Sequence, residues 1–214
     1  MIVSVQGNIG CGKSTLVNKM RNQVGVSDQS WKFVEEPVKE WEKFQDSAGN
    51  SILSLFYEKP KEHAFAFQMM AYISRLEALK KQLWSLPQVL VSERSLEADK
   101  EVFESMLHAS GDISQIEHAI YNKWFEHFAA DCLSDKVVYL KCSPATAYKR
   151  IRKRNRTGEN ISLQYLEKCH RAHERWLNSV DKDKILIIDA NEDLDADPKL
   201  HDRWIQQICD FIRE

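Results

Sequence analysis

The chain has 214 residues, of which 43% are hydrophobic and 29% are charged, so it can bury one sizeable α/β core and is not a disordered tail. Its formal net charge is −2, which argues against a general binder of nucleic acid or of anionic membranes. No stretch supplies the roughly 20 apolar residues that a membrane-spanning helix needs, so we expect neither kind of partner.

The amino terminus and the cysteines indicate a reducing compartment. The chain begins almost directly on a predicted strand and leaves no room for a signal or transit peptide, so we expect a cytoplasmic protein. Its five cysteines are odd in number and no two are spaced as Cys-x-x-Cys, which favours reduced, structural thiols over disulfides or a zinc site. His170 and His173 share a predicted helical face near Cys169, which we interpret as polar and solvated rather than metal-binding.

Five continuous apolar runs predict parallel strands that are covered on both faces. They lie at 2–6, 32–35, 88–92, 137–141 and 184–189. Helical segments alternate with them, at 13–24, 61–84, 96–109, 114–130, 144–155, 162–178 and 199–213. This alternation predicts an α/β fold in which helices flank a five-stranded, doubly wound parallel sheet, with residues 1–214 forming a single domain.

A glycine-rich loop follows the first predicted strand and opens the first predicted helix, which is the context of a phosphate-binding P-loop. It consists of Gly7, Asn8, Ile9, Gly10, Cys11, Gly12, Lys13 and Ser14, and Thr15 follows it. Backbone N–H groups of such a loop point at phosphates, Lys13 can reach the β and γ phosphates, and the Ser14 hydroxyl can bind Mg²⁺. We therefore expect a nucleoside triphosphate to bind here.

Charged residues follow two further predicted strands. The third strand ends in Glu93-Arg94, where Glu93 is a second candidate for Mg²⁺ and Arg94 can hold an acceptor oxygen and the moving phosphoryl group. The second strand ends in Glu35-Glu36-Pro37, and we choose Glu36 as the proton acceptor because Pro37 stops the strand just after it. The alternatives are a surface ion pair at 93–94 and an exposed acidic turn at 35–36.

The densest basic run lies at 150–156 and carries Arg150, Arg154 and Arg156. It is short and lacks interleaved aromatic residues, which disfavours a nucleic-acid site. Because Arg150 and Arg154 share a helical face and lead into a loop, we predict a helical, arginine-rich lid at about 150–162 that closes over the triphosphate. Arg152 and Lys153 should lie off that face, in solvent.

Taken together, the motifs resemble the deoxyribonucleoside kinase family, the group of deoxycytidine, deoxyguanosine, deoxyadenosine and insect multisubstrate kinases. The resemblance covers essentially the whole chain. It rests on residues 7–15, Glu36-Pro37-Val38 with Trp41, residues 55–60, Phe67-Gln68, Glu93-Arg94-Ser95, the arginine lid, Leu163-x-Tyr165-Leu166-Glu167-Lys168 and residues 189–193.

The resemblance implies a P-loop kinase that moves the γ-phosphoryl group of ATP to the 5′-hydroxyl of a deoxynucleoside, and a homodimer packed through helices 61–84 and 114–130. Glu36 would be the base, and Arg94 would hold the hydroxyl and later the product phosphate. Ser14 and Glu93 would position Mg²⁺. The donor would be bound by residues 7–15, Arg150, Arg154, Arg156 and, over the adenine, Asp193.

The resemblance also assigns the nucleoside side. Tyr57 and Glu159 would bind the sugar 3′-hydroxyl, and Gln68 would bond the base edge. The base faces would lie between Trp41, Phe67 and Phe103, although core packing explains Phe67 and Phe103 equally well.

Three residues would face the far edge of the base, namely Ala71, Arg75 and Asp99. Asp99 can orient Arg75 and accept from an exocyclic amino group, and a charged pair disfavours the apolar 5-methyl group of thymine. We therefore expect deoxycytidine, deoxyadenosine or deoxyguanosine ahead of thymidine. Phe56 stands where cytidine users have a more flexible apolar residue, which leaves the ranking among the three open.

Two alternatives remain at this point. A nucleoside monophosphate kinase, such as a thymidylate kinase, would need cations for the acceptor phosphate near the second strand, where Glu35-Glu36 has the opposite charge. A non-catalytic protein that uses the triphosphate as a conformational switch would bind it without phosphorylating any nucleoside.

Overall fold

The computed structural model describes residues 1–156, 159–192, 197 and 199–214. Asp193, predicted to lie over the adenine, and residues 157 and 158 of the predicted lid lie outside these ranges. Five parallel strands form a central sheet: β1 (Ile2–Gln6), β2 (Trp31–Val34), β3 (Val89–Glu93), β4 (Lys136–Lys141) and β5 (Ile185–Asp189). Their spatial order is β2-β3-β1-β4-β5, which confirms the predicted five-stranded parallel sheet.

Ten α-helices are present in the described residues. They are α1 (Lys13–Met20), α2 (Val38–Trp41), α3 (Ile52–Glu58), α4 (Pro60–Leu83), α5 (Leu96–Ala98), α6 (Ser105–Ala109), α7 (Gln115–Phe128), α8 (Pro144–Arg154), α9 (Leu163–Leu177) and α10 (Leu200–Arg213). Short π-helical segments follow α1 (Arg21–Gly25) and α5 (Asp99–Glu104), and 3₁₀ turns lie at Ala130–Cys132 and Lys182–Lys184. Ser162 is the N-cap of α9, and its hydroxyl accepts a hydrogen bond from the backbone N–H of Tyr165.

Helices cover both faces of the sheet. On one face Val5 of β1 packs in a cluster with Leu16 of α1 and Ile208 of α10. On the other face Leu90 of β3 packs with Tyr72 of α4. This double cover explains why the strands read as continuous apolar runs rather than alternating ones. A separate aromatic cluster packs α2, α3, α4 and α9 against the segment Asp99–Glu104.

Two parts of the fold differ from the sequence-based expectation. The helices α2 and α3 were not predicted, because four and seven residues are too few to show a helical period. The helix expected over 96–109 contains a π-helical segment at Asp99–Glu104, which the apolar spacing did not reveal.

The solvated histidine face predicted on α9 is wrong for His173. This residue is fully buried, with its Nδ1 2.7 Å from the Cys169 carbonyl oxygen, and its ring lies between those of Phe103 and Tyr139. Burial lowers the pKa of His173 to about 3, so its imidazole is neutral. The sequence shows that a helix is amphipathic but not how much of its polar face the rest of the chain covers.

The five cysteines are free thiols, and all are buried, as expected for structural cysteines. Within the described ranges, no cluster of three or more His, Cys, Asp or Glu residues is placed to hold a metal ion. Nor does any described helix combine the length and apolarity required to cross a membrane.

Candidate active site

The glycine-rich loop joins β1 to α1, as predicted. At Gly7 the φ angle is 142° and a Cβ would lie 2.6 Å from the Leu140 carbonyl oxygen, so only glycine fits where the loop passes β4. The Lys13 ammonium donates to the carbonyl oxygens of Gly7 (3.2 Å) and Asn8 (2.9 Å). The Asn8 side chain in turn donates to the Leu166 carbonyl oxygen over 2.9 Å, which ties the loop to α9.

The two residues predicted for Mg²⁺ are in direct contact. Ser14 Oγ donates to Glu93 Oε1 over 2.7 Å. Glu93 ends β3, and the parallel register with Val5 of β1 sets its carboxylate beside the loop. A hydroxyl and a carboxylate are hard oxygen ligands of the kind that Mg²⁺ prefers, so the residues present fit this ion.

Glu36 lies between two buried guanidinium groups. Its Oε1 accepts from Arg94 Nε over 2.8 Å and from Arg75 Nη2 over 3.3 Å. Burial alone would raise the pKa of Glu36, but the charges of Arg94 and Arg75 outweigh burial and lower it to about 2. The carboxylate is therefore ionised at neutral pH and can accept a proton.

Arg94 connects Glu36 to the phosphate loop. Its Nη1 donates to the Gly7 carbonyl oxygen over 3.1 Å, and its guanidinium lies 4.6 Å from the ring centroid of Phe103. The backbone of Arg94 has a φ of 65°, which is costly for a residue with a Cβ and concentrates at functional sites. Burial, followed by the positive charge of Arg94, lowers the pKa of Lys13.

Arg75 and Asp99 form the charged pair expected from the family resemblance, and the structure shows that this pair is bidentate. Arg75 Nε donates to Asp99 Oδ2 over 2.8 Å, Nη2 lies 3.3 Å from Oδ1, and Nη1 donates to the Glu93 carbonyl oxygen over 2.6 Å. Burial lowers the pKa of Arg75, but the carboxylates of Asp99 and Glu36 outweigh it and raise the pKa, so the guanidinium stays charged. Both side chains are almost completely buried.

A cavity of about 530 Å³, including its open mouth, lies beside this charge network, within the size range of small-molecule sites. Every residue predicted for nucleoside binding lines it. Gln68 is 2% exposed, and within the described ranges no hydrogen bond joins its side-chain amide to another residue. A buried amide facing a cavity needs a ligand or water as its partner, which makes Gln68 available to a base edge.

Aromatic rings form the cavity walls. Phe67 stacks face to face on Phe56, with centroids 4.7 Å apart, and contacts Trp41 edge to face at 5.3 Å. One face of Phe67 is therefore taken by Phe56, and Trp41 and Phe103 line the cavity as well. Phe67 and Phe103 pack in the hydrophobic core and also line the cavity, so both interpretations of these residues hold.

Tyr57 and Glu159, predicted at the sugar, face the same cavity. Glu159 forms ion pairs with Arg154 and, at 4.0 Å, with Arg156, so the carboxylate predicted at the sugar is held by two arginines of the predicted lid. Burial, followed by the charge of Glu159, raises the pKa of Tyr57, so its hydroxyl stays protonated.

A larger cleft of about 1670 Å³, including open space, adjoins the cavity. It is lined by Lys13, Ser14 and Glu93 and by the arginines of the basic run, Arg150, Arg154 and Arg156. Gly10, Gly12 and Thr15 also face this cleft, Ile9 faces both spaces, and Gly7, Asn8 and Cys11 support the loop without lining either.

Arg150 also connects helix α8 to another part of the chain. It donates to the carbonyl oxygens of Ala190 and Glu192, at 2.7 Å each, and so fastens α8 to the segment after β5. Arg152 is exposed and lines neither space, as predicted.

The sequence did not assign three cavity residues, namely Val38, Leu53 and Tyr165. Leu53 belongs to the short helix α3, which shows no helical period. Val38 and Tyr165 lie in motifs that carry the family resemblance, so those motifs could have identified them. The ring centroids of Tyr165 and Tyr57 are 6.2 Å apart.

Comparison with known proteins agrees with this geometry. The sequence matches the deoxynucleoside kinase family over residues 3–213. It is 35% identical to the probable deoxycytidine kinase of fowlpox virus, covering 99% of this chain and 88% of the relative. It is 34% identical to the deoxycytidine kinase of Homo sapiens (98% and 90% covered) and 27% identical to the mitochondrial deoxyguanosine kinase of Xenopus laevis (98% and 89%). The chain belongs to the deoxynucleoside kinase family and is an ATP-dependent phosphotransferase.

Proposed function

We propose that this kinase phosphorylates deoxycytidine, deoxyadenosine or deoxyguanosine in preference to thymidine. The observation that carries the proposal is the buried Arg75–Asp99 pair beside Ala71 and Gln68 in the cavity wall. An exocyclic amino group can donate to Asp99, whereas the 5-methyl group of thymine would contact a charged pair and desolvate it without compensation. The names of the relatives called deoxycytidine kinase support deoxycytidine as one of these substrates.

The transfer step follows from the position of Glu36. A deoxynucleoside 5′-hydroxyl placed beside Glu36 and Arg94 attacks the γ-phosphorus, its new O–P bond forms as the bond from the γ-phosphorus to ADP breaks, and its proton passes to a Glu36 carboxylate oxygen. A carboxylate with a pKa of about 2 is a weak base. A weak base is sufficient here, because in a loose transition state the hydroxyl gives up its proton late, when it has become strongly acidic.

The donor side would use Lys13 and the lid arginines to hold the phosphates. Ser14 and Glu93 would hold Mg²⁺, which when bound neutralises charge on the phosphate oxygens. We further propose that residues 1–214 act as one kinase domain, with 150–162 as the lid. The cytoplasmic location stays a prediction, since the name of one relative places that protein in mitochondria.

A homodimer is also part of the proposal. Ile116, Ile120 and Trp124 are spaced four residues apart on α7 and are 74%, 42% and 44% exposed, and Ile73 on α4 is 47% exposed. Such a stripe of apolar side chains is costly in water and suits a self-complementary interface between two copies.

A panel assay tests the substrate proposal. Turnover is measured with ATP and each of the four deoxynucleosides at equal low concentration, and with their monophosphates. We expect kcat/KM for thymidine to be at least about tenfold below that of the best substrate. Comparable turnover of thymidine would refute the ranking. Turnover of monophosphates alone would favour the nucleotide kinase, and ATP binding without turnover would favour the switch.

A further inference from the structure

The indole of Trp41 is tied to α4 by a buried hydrogen-bond chain. Trp41 Nε1 donates to Ser74 Oγ over 2.8 Å, and the Ser74 hydroxyl donates to the Met70 carbonyl oxygen over 2.7 Å. Trp41 is 4% exposed and Ser74 is 3% exposed, so water does not compete for these bonds. The chain joins the short helix α2, which follows the proton acceptor, to the long helix α4.

Ser74 does not line the cavity itself, although its neighbours do. Ala71 and Arg75 on the same helix face the cavity, and so does Trp41. The indole also packs against the ring of Phe67 in a T-shaped arrangement, with centroids 5.3 Å apart and an interplanar angle of 88°. Two contacts therefore fix the plane of Trp41: the Phe67 ring and the Ser74 hydroxyl.

Loss of the Ser74 hydroxyl would leave a buried N–H without an acceptor, since Ser74 Oγ is the only partner of Trp41 Nε1 among the described residues. An unpaired buried donor is costly, and the side chain relieves that cost by turning towards a place where it meets water. For Trp41 that place is the cavity, which would become narrower beside Phe67.

We propose that Ser74 is a positioning residue that holds Trp41 as a wall of the nucleobase site and so sets the affinity for the deoxynucleoside. This inference rests on the proposed function, in which Trp41 flanks the base. Ser74 touches neither substrate, so its effect should appear in binding of the nucleoside and not in the transfer step.

The first test compares Ser74→Ala with wild-type enzyme on the best deoxynucleoside of the panel. We expect KM for the nucleoside to rise about fivefold to tenfold, while kcat and KM for ATP stay within about twofold. Ser74→Thr, which keeps the hydroxyl, should recover most of the affinity. Ser4→Ala is the matched control, because the Ser4 hydroxyl is equally buried but has no partner among the described residues.

A double-mutant cycle separates positioning from general loss of packing. In a Trp41→Phe background there is no indole N–H, so adding Ser74→Ala should change KM by less than about twofold. An equal rise in both backgrounds, or a fall in kcat at constant KM, would overturn the inference. If Ser74→Ala does not fold, Ser74→Cys serves in its place, since a thiol of similar size is a poor acceptor.

The two proposals fail in different ways. Absence of deoxynucleoside turnover by the wild-type enzyme would refute the proposed function. Normal turnover by wild type with an unchanged KM in Ser74→Ala would refute only the role of Ser74.

Discussion

Nη2 of Arg75 lies 3.3 Å from Oε1 of Glu36, so the guanidinium group proposed to face the nucleobase also contacts the carboxylate proposed to accept the proton. The same guanidinium is held by both oxygens of Asp99. The residues proposed for base selection and for phosphoryl transfer therefore share one buried charge network. Substitutions of Arg75 or Asp99 should therefore change both the stability of the fold and the rate of phosphoryl transfer at Glu36.

Arg75→Met should destabilise the fold by about 3–5 kcal/mol, because it leaves the Asp99 carboxylate buried without its partner. Adding Asp99→Ala removes that uncompensated charge and should restore part of the loss. The double variant should also gain activity on thymidine, since no charged pair then faces the 5-methyl group. Urea unfolding and the nucleoside panel measure the two effects, and equal stability of the single and double variants would contradict the argument.

Glu36→Gln should lower kcat by at least about 100-fold, because the amide cannot take the hydroxyl proton. The Kd for ATP should change by less than about twofold, since Glu36 is not needed to bind the donor phosphates. Rapid-quench kinetics and equilibrium titration with a labelled ATP analogue give the two numbers. Preserved turnover in this variant would refute the assignment of Glu36 as the base.

The pKa of Glu36 also has consequences for pH. The pKa is lowered from 4.5 to about 2, so the carboxylate is ionised throughout the range from about pH 5 to pH 8. A fall of kcat/KM on the acid side of that range would therefore have to come from another titrating group. Because the folded pKa is depressed, Glu36 contributes stability that is present above 4.5 and is lost as pH falls towards 2. Urea midpoints of the wild type should therefore fall over that interval, and those of Glu36→Gln should fall less.

Ser14→Ala should raise the Mg²⁺ concentration required for half-maximal activity by about tenfold, because one of the two oxygen ligands beside the loop is removed. Ser4→Ala, a buried serine of β1 whose hydroxyl has no partner among the described residues, is the control and should leave the Mg²⁺ requirement unchanged. Activity is titrated with Mg²⁺ at saturating ATP. A normal Mg²⁺ requirement in Ser14→Ala would show that this hydroxyl does not hold the ion.

The sheet and the phosphate loop were predictable because each leaves a local trace in the sequence. A strand covered on both faces needs a run of apolar residues, such as the Val-Val-Tyr-Leu stretch inside β4. The loop needs a glycine where its backbone passes close to β4, as at Gly7. Residues at the carboxyl ends of parallel strands meet at one edge of the sheet, so the positions of Glu36 and Glu93 just after two predicted strands were enough to place both near the loop.

Other features leave no such trace. The Arg75–Glu36 contact and the hydrogen bond from Trp41 to Ser74 join residues from different elements. The burial of His173 likewise depends on other elements that pack over it. None of the three is fixed by local spacing in the sequence. The short helix α2 depends on packing around Trp41 rather than on helix propensity. Assignments on the nucleoside side came from the family resemblance, and their roles stay predictions until they are measured.

Arg154→Gln should raise KM for ATP by about tenfold, because the variant loses a cation from the wall of the larger cleft beside the glycine-rich loop. Arg152→Gln is the matched control on the same helix, since Arg152 is exposed and lines neither space, and it should leave KM for ATP unchanged. Initial-rate kinetics over a range of ATP concentrations decide the point. Equal effects of the two variants would indicate general electrostatic attraction and not a lid contact.

Trp124→Glu should convert the proposed dimer to a monomer, because a carboxylate placed in the apolar stripe of α7 would have to be buried without a partner at the interface. Trp84→Glu is the control: Trp84 follows α4, is 87% exposed and lies outside the stripe, so this change should leave the mass unaltered. Sedimentation equilibrium over a range of protein concentrations measures the state. A wild-type mass of one chain would refute the dimer, and a Trp124→Glu dimer would place the interface elsewhere.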